Sequence, residues 1–428
     1  MQCYICDADN WHVRADLNPK SKVHVCKECG NVQHYYEEAR EPQLLDFYRK
    51  DYRGRINRMN LITTTHKLNY IRPFIKEYLT GKTGLTCCDV GAATGYFVNF
   101  LRQLGHKALG TEYTPTMRRF SEHYYQIPLT EEIEAKHKYD FISFYHVLEH
   151  MMTPDKKLLK YRDCLKDDGI MFISVPNYLF ELEDLSAMGG LVIENYFHEN
   201  HICCLTVESL QNLFNKVGLE VIKFDTLTYG LTVLVKKCEP KPIIKQDWQI
   251  INAQIDSIKK AIELYNSNRV REAVEAWPKF PDGWNRLIFD LYRKDEGRQA
   301  AEFDAAEKAL GPNVAFKAAK ATWHYQYGRF EDAYKLFEFV AEHKLSEDIL
   351  VYMAWCLENL GQHKDAMNLF TRAHTLNPLK WAECVDFVCS IASKLPAWDE
   401  VAKEQIKEQL FQQAQPKIEL TEQEKPNA

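Results

Sequence analysis

The sequence predicts an α/β fold in the middle of the chain, preceded by a cysteine-rich module and followed by an all-α domain. The apolar segment Thr86–Val90 reads as a strand that runs into the glycine-rich turn 91–95, which opens a helix. Two Cys-x-x-Cys pairs stand near the N-terminus, and beyond residue 250 the apolar residues recur at helical spacing. These three patterns indicate three modules.

The composition is that of a folded, soluble protein. The chain has 428 residues, enough for about two to four domains with cores of their own. Apolar residues make up 46% and charged residues 27%, and a net charge of −6 gives no general attraction to nucleic acid or to an anionic membrane. We find no basic-then-apolar signal at the N-terminus and no run of 18 apolar residues, so we expect no membrane segment and a cytoplasmic location.

The first module, residues 1–45, has the cysteine spacing of a zinc ribbon. Cys3 and Cys6 form one Cys-x-x-Cys pair and Cys26 and Cys29 form the second, with Gly30 after it to permit a tight turn. Four thiolates complete a tetrahedral site, so the predicted Zn²⁺ is structural rather than catalytic. Three histidines nearby are alternative ligands that a complete four-cysteine set does not need: His12, His24 and His34.

The glycine-rich turn has the features of an adenosine-type cofactor site. Gly91 and Gly95 allow close approach of a ligand to the backbone, and the following helix offers free N–H groups at its start. Glu112 ends the next predicted strand, where its carboxylate can accept hydrogen bonds from both hydroxyls of a ribose.

The residues downstream carry a family resemblance. A strand at about 139–145 is followed by Val-Leu-Glu-His at 147–150, and a second strand ends in Val-Pro-Asn at 175–177. With the Asp-Val-Gly motif at 89–91, this pattern resembles class I S-adenosylmethionine-dependent methyltransferases over about residues 60–238. The resemblance implies a Rossmann-like domain, assigned to residues 46–238.

The resemblance also implies the cofactor, S-adenosylmethionine, and the residues around it. Asp89 is expected near the methionine end and Glu112 on the ribose. The edge that faces the transferred methyl group is expected to carry His146, Glu149 and His150. The cofactor-binding residues implied are Asp89, Gly91, Ala93, Gly95, Tyr96, Glu112, Tyr113 and His146.

An insertion at residues 178–201 is too long for a plain crossover and is interpreted as a lid or substrate wall. Its end resembles the Tyr-His-Glu-His segment of nucleotide-sugar C-methyltransferases, which also carry a four-cysteine zinc module. Alignment puts His201 on the second histidine of that family and Asn200 on its glutamate. Asparagine cannot take a proton as a carboxylate does, so Glu199 or His198 is the alternative proton acceptor. The predicted catalytic residues are His201, Glu199, His198 and His146.

Two further segments are assigned from their local pattern. The basic segment 48–58 precedes a helix at about 63–78 and, from the resemblance, is expected to fold over the cofactor cleft. Thr206 is expected to cap a helix with Ser209 in its first turn, and an antiparallel pair, Leu219–Asp225 and Leu231–Lys237, should close the domain.

The C-terminal part reads as a linker, 239–250, followed by helical repeats, 251–412, and a polar tail, 413–428. Gly328 and Gly361 are 33 residues apart, close to the tetratricopeptide length. The segment 347–378 resembles such a repeat, and arrays of this kind bind a peptide or another subunit. A protein partner or self-association through the repeats is therefore expected.

The leading functional interpretation is methylation of a small molecule, a nucleotide-linked sugar or related glycan precursor. Two other interpretations stay open: a methyltransferase fold without turnover that is docked through its repeats as a scaffold, and a protein or RNA methyltransferase. The base-methylating mechanisms are disfavoured because neither a Pro-Cys pair nor an Asp/Asn-Pro-Pro-aromatic tetrad occurs.

Overall fold

The structure is a computed structural model that describes most of the chain. The described residues are 1–18, 20–35, 41–50, 71, 74–76, 78–133, 138–178, 192–197, 200–225 and 230–376. They divide between two compact units, Met1–Asn313 and Val314–Ala428. The finer predicted division, at 1–45, 46–238, 239–250, 251–412 and 413–428, stays a prediction.

Strands and helices alternate through the centre of the first unit. The strands are β1 (Trp11–Arg14), β2 (Val23–Cys26), β3 (Val32–His34), β4 (Thr86–Val90), β5 (Lys107–Thr111), β6 (Tyr139–Tyr145), β7 (Leu165–Val175), β8 (Cys203–Cys204), β9 (Leu219–Asp225) and β10 (Leu231–Lys237). The helices of this unit are α1 (Glu41–Lys50), α2 (Tyr96–Gln103), α3 (Pro115–Tyr125), α4 (Pro154–Cys164), α5 (Ile193–Tyr196), α6 (Val207–Val217), α7 (Trp248–Asn266), α8 (Val270–Ala276), α9 (Pro281–Arg286) and α10 (Glu296–Leu310). A 3₁₀ turn, Leu148–His150, and a π turn, Leu287–Leu291, complete it.

Six strands of the described chain form a mixed sheet in the order β5-β4-β6-β7-β10-β9. The first four are parallel, and β10 lies antiparallel between β7 and β9. The predicted antiparallel pair is therefore confirmed, and the turn that joins it at 226–229 lies outside the described residues. This is the Rossmann-like α/β fold expected from the sequence.

Both faces of the central strands are covered, which explains why β4, β6 and the second half of β7 are buried almost throughout, whereas the edge strands β5 and β9 alternate. Successive side chains of a strand point to opposite faces, so Cys87 and Cys88 of β4 enter two different cores. Cys87 packs in the core that contains Phe97 of α2, and Cys88 in the core that contains Leu158 of α4 and Phe214 of α6.

A second, smaller sheet has the order β1-β2-β3-β8. Its fourth strand comes from far along the chain, because Val32 pairs with Cys204 and Gln33 with Cys203. Apolar side chains of this sheet share a core with Phe197 and with Ile255 of α7. The N-terminal module is thus packed against both the insertion and the first long C-terminal helix, which the sequence did not indicate.

The segment predicted as a linker is hydrogen-bonded along α6. The Asn212 side chain accepts from the Ile244 amide and donates to the Ile244 carbonyl oxygen, both at 2.7 Å. The Asn215 side chain donates to the Pro242 carbonyl oxygen at 3.2 Å. The start of α6 also follows the prediction, because Thr206 and Ser209 form a reciprocal capping box.

The second unit, taken by itself, is helical. Its described helices are α11 (Val314–Gln326), α12 (Phe330–His343), α13 (Glu347–Asn359) and α14 (His363–Leu376). Gly328 and Gly361 occupy equivalent turns with φ of 71° and 76°, and Ala354, Ala366 and Phe370 are buried between helices as expected. The helical character is confirmed, while the tetratricopeptide assignment stays a prediction. Pro378 and the tail lie outside the described residues.

Candidate active site

The glycine-rich turn between β4 and α2 is built from left-handed backbone. Gly91, Ala93 and Gly95 have φ of 67°, 48° and 77°. A Cβ atom on Gly91 would lie 2.5 Å from Val147 Cγ2, and one on Gly95 would lie 2.1 Å from Ser121 Oγ. Packing inside the protein therefore requires both glycines, in addition to any ligand that approaches the turn.

Glu112, at the end of β5, is hydrogen-bonded to this turn. Its Oε2 atom accepts from the Ala93 amide at 3.0 Å and its Oε1 atom from the Thr114 amide at 2.8 Å. A carboxylate oxygen can accept more than one hydrogen bond, so these contacts leave capacity for a ribose. The predicted ribose ligand and the predicted cofactor loop are thus in direct contact.

Of the two tyrosines predicted at the cofactor, Tyr113 follows β5 and Tyr96 begins α2. Burial, together with the nearby charge of Glu132, raises the pKa of Tyr113 to about 12. The Arg49 guanidinium of α1 lies 5.9 Å from the centre of the Tyr113 ring. Tyr96 begins α2, and its ring centre lies 6.3 Å from that of Tyr125.

Asp89 differs from the other predicted cofactor residues because it is fully buried within the sheet. Its Oδ1 atom accepts a hydrogen bond of 2.7 Å from the hydroxyl of Ser143, its neighbour on β6. This contact ties β4 to β6 beneath the turn. Asp89 therefore stabilises the strand from which the turn begins.

Three polar residues gather at the carboxyl end of β6. His146 adopts φ of 53°, unusual for a residue with a side chain, and its Nδ1 atom lies 3.5 Å from Glu149 Oε1. His150 Nε2 lies 3.9 Å from the same oxygen. Glu149 is fully buried. Burial opposes its ionisation, but His146 and His150 together hold the pKa of Glu149 below its ordinary value.

His201 joins this group from the end of the insertion. Its ring centre lies 4.9 Å from that of His150, and its Nδ1 atom lies 2.7 Å from the hydroxyl of Tyr178. One ligand-type atom each of Glu149, His150 and His201 lies within 4.8 Å of the other two. The group lies at the carboxyl edge of the parallel strands, where α/β proteins bind ligands, and it can exchange protons or hold a cation.

The predicted catalytic set is thus brought together in part. His201 and His146 both reach Glu149 or its neighbour His150, whereas His198 and Glu199 lie outside the described residues. The sequence placed Glu149 and His150 beside His146 at the methyl-transfer edge without counting them among the catalytic residues, and it gave Tyr178 no role in the site. Glu149 and His150 follow β6 directly, which was the available signal, but nothing local marks Tyr178.

The four predicted zinc ligands converge. Cys3 Sγ lies 3.6 Å from Cys29 Sγ and Cys6 Sγ lies 3.5 Å from Cys26 Sγ, and all four sulfurs lie within 4.8 Å of one another. Four thiolates at about 2.3 Å from one zinc ion would be about 3.8 Å apart. The Asn31 side-chain amide donates to Cys3 Sγ at 3.7 Å, as expected beside a thiolate. The residues present therefore fit a structural zinc ion.

Two of the histidines near the cysteines have other partners. Ser21 Oγ lies 2.7 Å from His34 Nδ1. The His12 ring lies 5.0 Å from the Trp248 ring. Among the described residues the metal-type cluster of this module consists of cysteines alone, as the sequence predicted.

Comparison with known proteins agrees with this description. Residues 33–223 match the family model for a methyltransferase domain. No curated protein matches the sequence. Similar solved structures include the magnesium protoporphyrin IX methyltransferase of Synechocystis PCC 6803 with bound SAH, at 13% identity over 46% of this chain and 99% of that chain, with a TM-score of 0.36.

Two further solved structures match this chain with similar identities and TM-scores. An S-adenosylmethionine dependent methyltransferase from Mesorhizobium loti is 12% identical over 39% of this chain and 96% of that chain, with a TM-score of 0.32. The ribosomal protein L11 methylase from Lactobacillus delbrueckii subsp. bulgaricus is 14% identical over 43% and 81%, with a TM-score of 0.29.

The family match covers the turn, Glu112 and the polar group at the end of β6. The chain therefore contains a methyltransferase domain. Its enzyme class is that of the S-adenosylmethionine-dependent methyltransferases. No helix among the described residues has both the length and the apolar composition needed to cross a membrane.

Proposed function

We propose that the enzyme transfers a methyl group to a small-molecule acceptor, and that the acceptor is a nucleotide-linked sugar or a related glycan precursor. The observation that carries the proposal is the convergence of His201, Glu149 and His150 beside the cofactor turn. His201 is the residue that aligns with a histidine of the nucleotide-sugar enzymes. The four-cysteine cluster, a second feature of those enzymes, supports the same acceptor class.

In this proposal Gly91, Ala93 and Gly95 line the cofactor, and Glu112 binds its ribose. S-adenosylmethionine, when bound, supplies an activated methyl group, so the protein has little covalent chemistry to perform. The work left to the polar group is to align the acceptor and to assist loss of its proton. His201 contributes to this activation, and its orientation is fixed by the hydroxyl of Tyr178.

The cysteine cluster is proposed to hold one structural Zn²⁺. All four positions of a tetrahedral ion are filled by Cys3, Cys6, Cys26 and Cys29, which leaves none for a substrate. Its contribution is to the stability of the small sheet β1-β2-β3-β8.

Incubation of the full chain with methyl-labelled donor and a panel of nucleotide sugars, peptides and RNA tests the acceptor class. We expect label in a nucleotide sugar, and His201→Ala should lower turnover by ~10²-fold with donor affinity kept. His123→Ala, on the exposed face of α3, is the matched control and should keep full turnover. Label that enters only peptide or RNA would refute the acceptor class.

The helical repeats are proposed to bind a protein partner or a second copy of the chain. The helical turns at Gly328 and Gly361 support a repeated unit of 33 residues. A chain that ends at Asn313 keeps the first unit whole, and it should retain donor binding and turnover while losing any complex. Absence of turnover on every acceptor, together with a stable complex of the full chain, would favour the scaffold interpretation instead.

A further inference from the structure

The polar group beside the cofactor turn contains a carboxylate that lacks hydrogen-bond partners. Glu149 is fully buried, and neither of its carboxylate oxygens accepts a hydrogen bond from any described residue. The nearest imidazole nitrogens, at 3.5 Å on His146 and 3.9 Å on His150, are beyond ordinary hydrogen-bond length. Burying a charged group in this way is costly unless it is paired or coordinates a metal ion.

The two imidazoles beside this carboxylate are held in the manner of metal ligands. His150 Nδ1 lies 2.7 Å from the Asn200 carbonyl oxygen, and His201 Nδ1 lies 2.7 Å from the Tyr178 hydroxyl. Metal-bound histidines are held in this way, with one ring nitrogen on a second group and the other on the ion. The ligand-type atoms of Glu149, His150 and His201 already lie within 4.8 Å of one another.

We propose that Glu149, His150 and His201 bind one divalent first-row cation, of the class of Mn²⁺, Fe²⁺ or Zn²⁺. Two imidazoles and one carboxylate suit these ions, whereas Mg²⁺ and Ca²⁺ prefer oxygen ligands alone. This second metal site is separate from the cysteine cluster, whose four soft thiolates select zinc.

Three protein ligands leave coordination positions open, and the ligand class that fits them is an oxygen of the acceptor. The turn that carries Glu149 packs on the cofactor loop, since Val147 Cγ2 lies 2.5 Å from the Cβ position of Gly91. The cation would hold the acceptor oxygen at this edge of the sheet, and His201 would contribute to activation of the acceptor as a ligand of the cation. This role rests on the proposed function, while binding of the cation does not.

Titration of the full chain with Mn²⁺ alone tests the site directly. The electron paramagnetic resonance signal of the free ion measures how much Mn²⁺ is bound. Thiolates bind Mn²⁺ weakly, so the cysteine cluster does not interfere. We expect one Mn²⁺ per chain, and Glu149→Gln and His201→Gln should each weaken binding by ~10²-fold. His123→Gln, with the same change on the exposed face of α3, should bind as the unaltered chain does.

The variant Tyr178→Phe distinguishes a loss of Mn²⁺ coordination from a general loss of folding. Tyr178→Phe keeps the buried ring and removes only the hydroxyl that orients His201, so Mn²⁺ binding should weaken by about 10-fold or more. If Glu149→Gln fails to fold, the stoichiometry of the unaltered chain and the two other variants still decide the question.

The proposal is overturned if the unaltered chain binds no Mn²⁺ and no zinc beyond one per chain, or if the variants bind as tightly as the unaltered chain. Methylation of a nucleotide sugar that persists in a chain without this cation would refute the role of the cation in holding the acceptor and leave the proposed function intact. Binding of Mn²⁺ by a chain that methylates no sugar would refute the proposed acceptor class and leave the metal site intact.

Discussion

Replacement of Glu112 by alanine is the most direct test of the cofactor site. The carboxylate is half-buried and already accepts hydrogen bonds from the amides of Ala93 and Thr114. Two hydrogen bonds from a ribose to a charged acceptor contribute about 1.5–3 kcal/mol each, and water that enters the shortened site recovers part of this. We therefore expect Glu112→Ala to weaken donor binding by about 2–4 kcal/mol, a rise in Kd of about 30- to 900-fold.

Isothermal titration calorimetry with S-adenosylmethionine measures this difference. Glu112→Gln keeps the shape of the side chain but turns one amide N–H toward a backbone N–H. Its Kd for the donor should therefore lie between that of the unaltered chain and that of Glu112→Ala. Glu122→Ala removes the same charge from an exposed position on α3 and is the control. Equal donor affinities for Glu112→Ala and Glu122→Ala, in chains with unchanged circular dichroism, would remove Glu112 from the site.

Substitutions at three other places in the chain test the metal and the framework. Cys26→Ser with Cys29→Ser should abolish one zinc per chain by elemental analysis and lower the temperature of the first unfolding step; an unaltered chain without zinc would contradict the ribbon. Burial opposes ionisation of Asp140, but the Lys166 ammonium holds its pKa below the usual value. The stabilisation of the fold by the ionised Asp140 carboxylate is therefore complete above its unfolded-state pKa of about 3.9. It is lost as the pH falls through the lower pKa of Asp140 in the folded protein. Asp140→Asn should lower the free energy of unfolding in urea by about 1 kcal/mol at pH 7 and by less at pH 2, and an equal loss at both pH values would refute this account. Asn212→Ala should lower the free energy of unfolding by about 1–2 kcal/mol, because it removes both hydrogen bonds to Ile244. Asn212→Asp keeps one of them, so its stability should lie between that of the unaltered chain and that of Asn212→Ala. An unchanged midpoint in urea for Asn212→Ala would show that the contact is dispensable.

The parts of the fold that depend on local chemistry were predicted from the sequence. The antiparallel pair β9 and β10 and the helix cap at Thr206 both depend on residues within a few positions of each other. The cysteine cluster was also predictable, because the spacing within each Cys-x-x-Cys pair allows both thiolates to reach one ion.

Features that join distant residues were not predictable. β8 has only two residues, too few for any periodic signal, and its partner β3 is some 170 positions earlier in the chain. The same holds for the contact of Tyr178 with His201, since neither residue marks the other in the sequence. The position of Glu149 after β6 was visible, but whether its carboxylate faces water or is buried depends on the elements packed over it.

The pairing of β8 with β3 connects the cysteine cluster to the acceptor edge of the site. The His34 amide donates to the Ile202 carbonyl oxygen at 2.9 Å, so the backbone directly after His201 is fixed by the ribbon strand. That strand begins at Val32, directly after Asn31, whose side chain contacts Cys3 Sγ. The glycine-rich turn, in contrast, is hydrogen-bonded to Glu112, which has no part in this sheet. The zinc ion proposed at the cysteines would therefore act on the position of His201, and its loss should reduce turnover with donor affinity preserved.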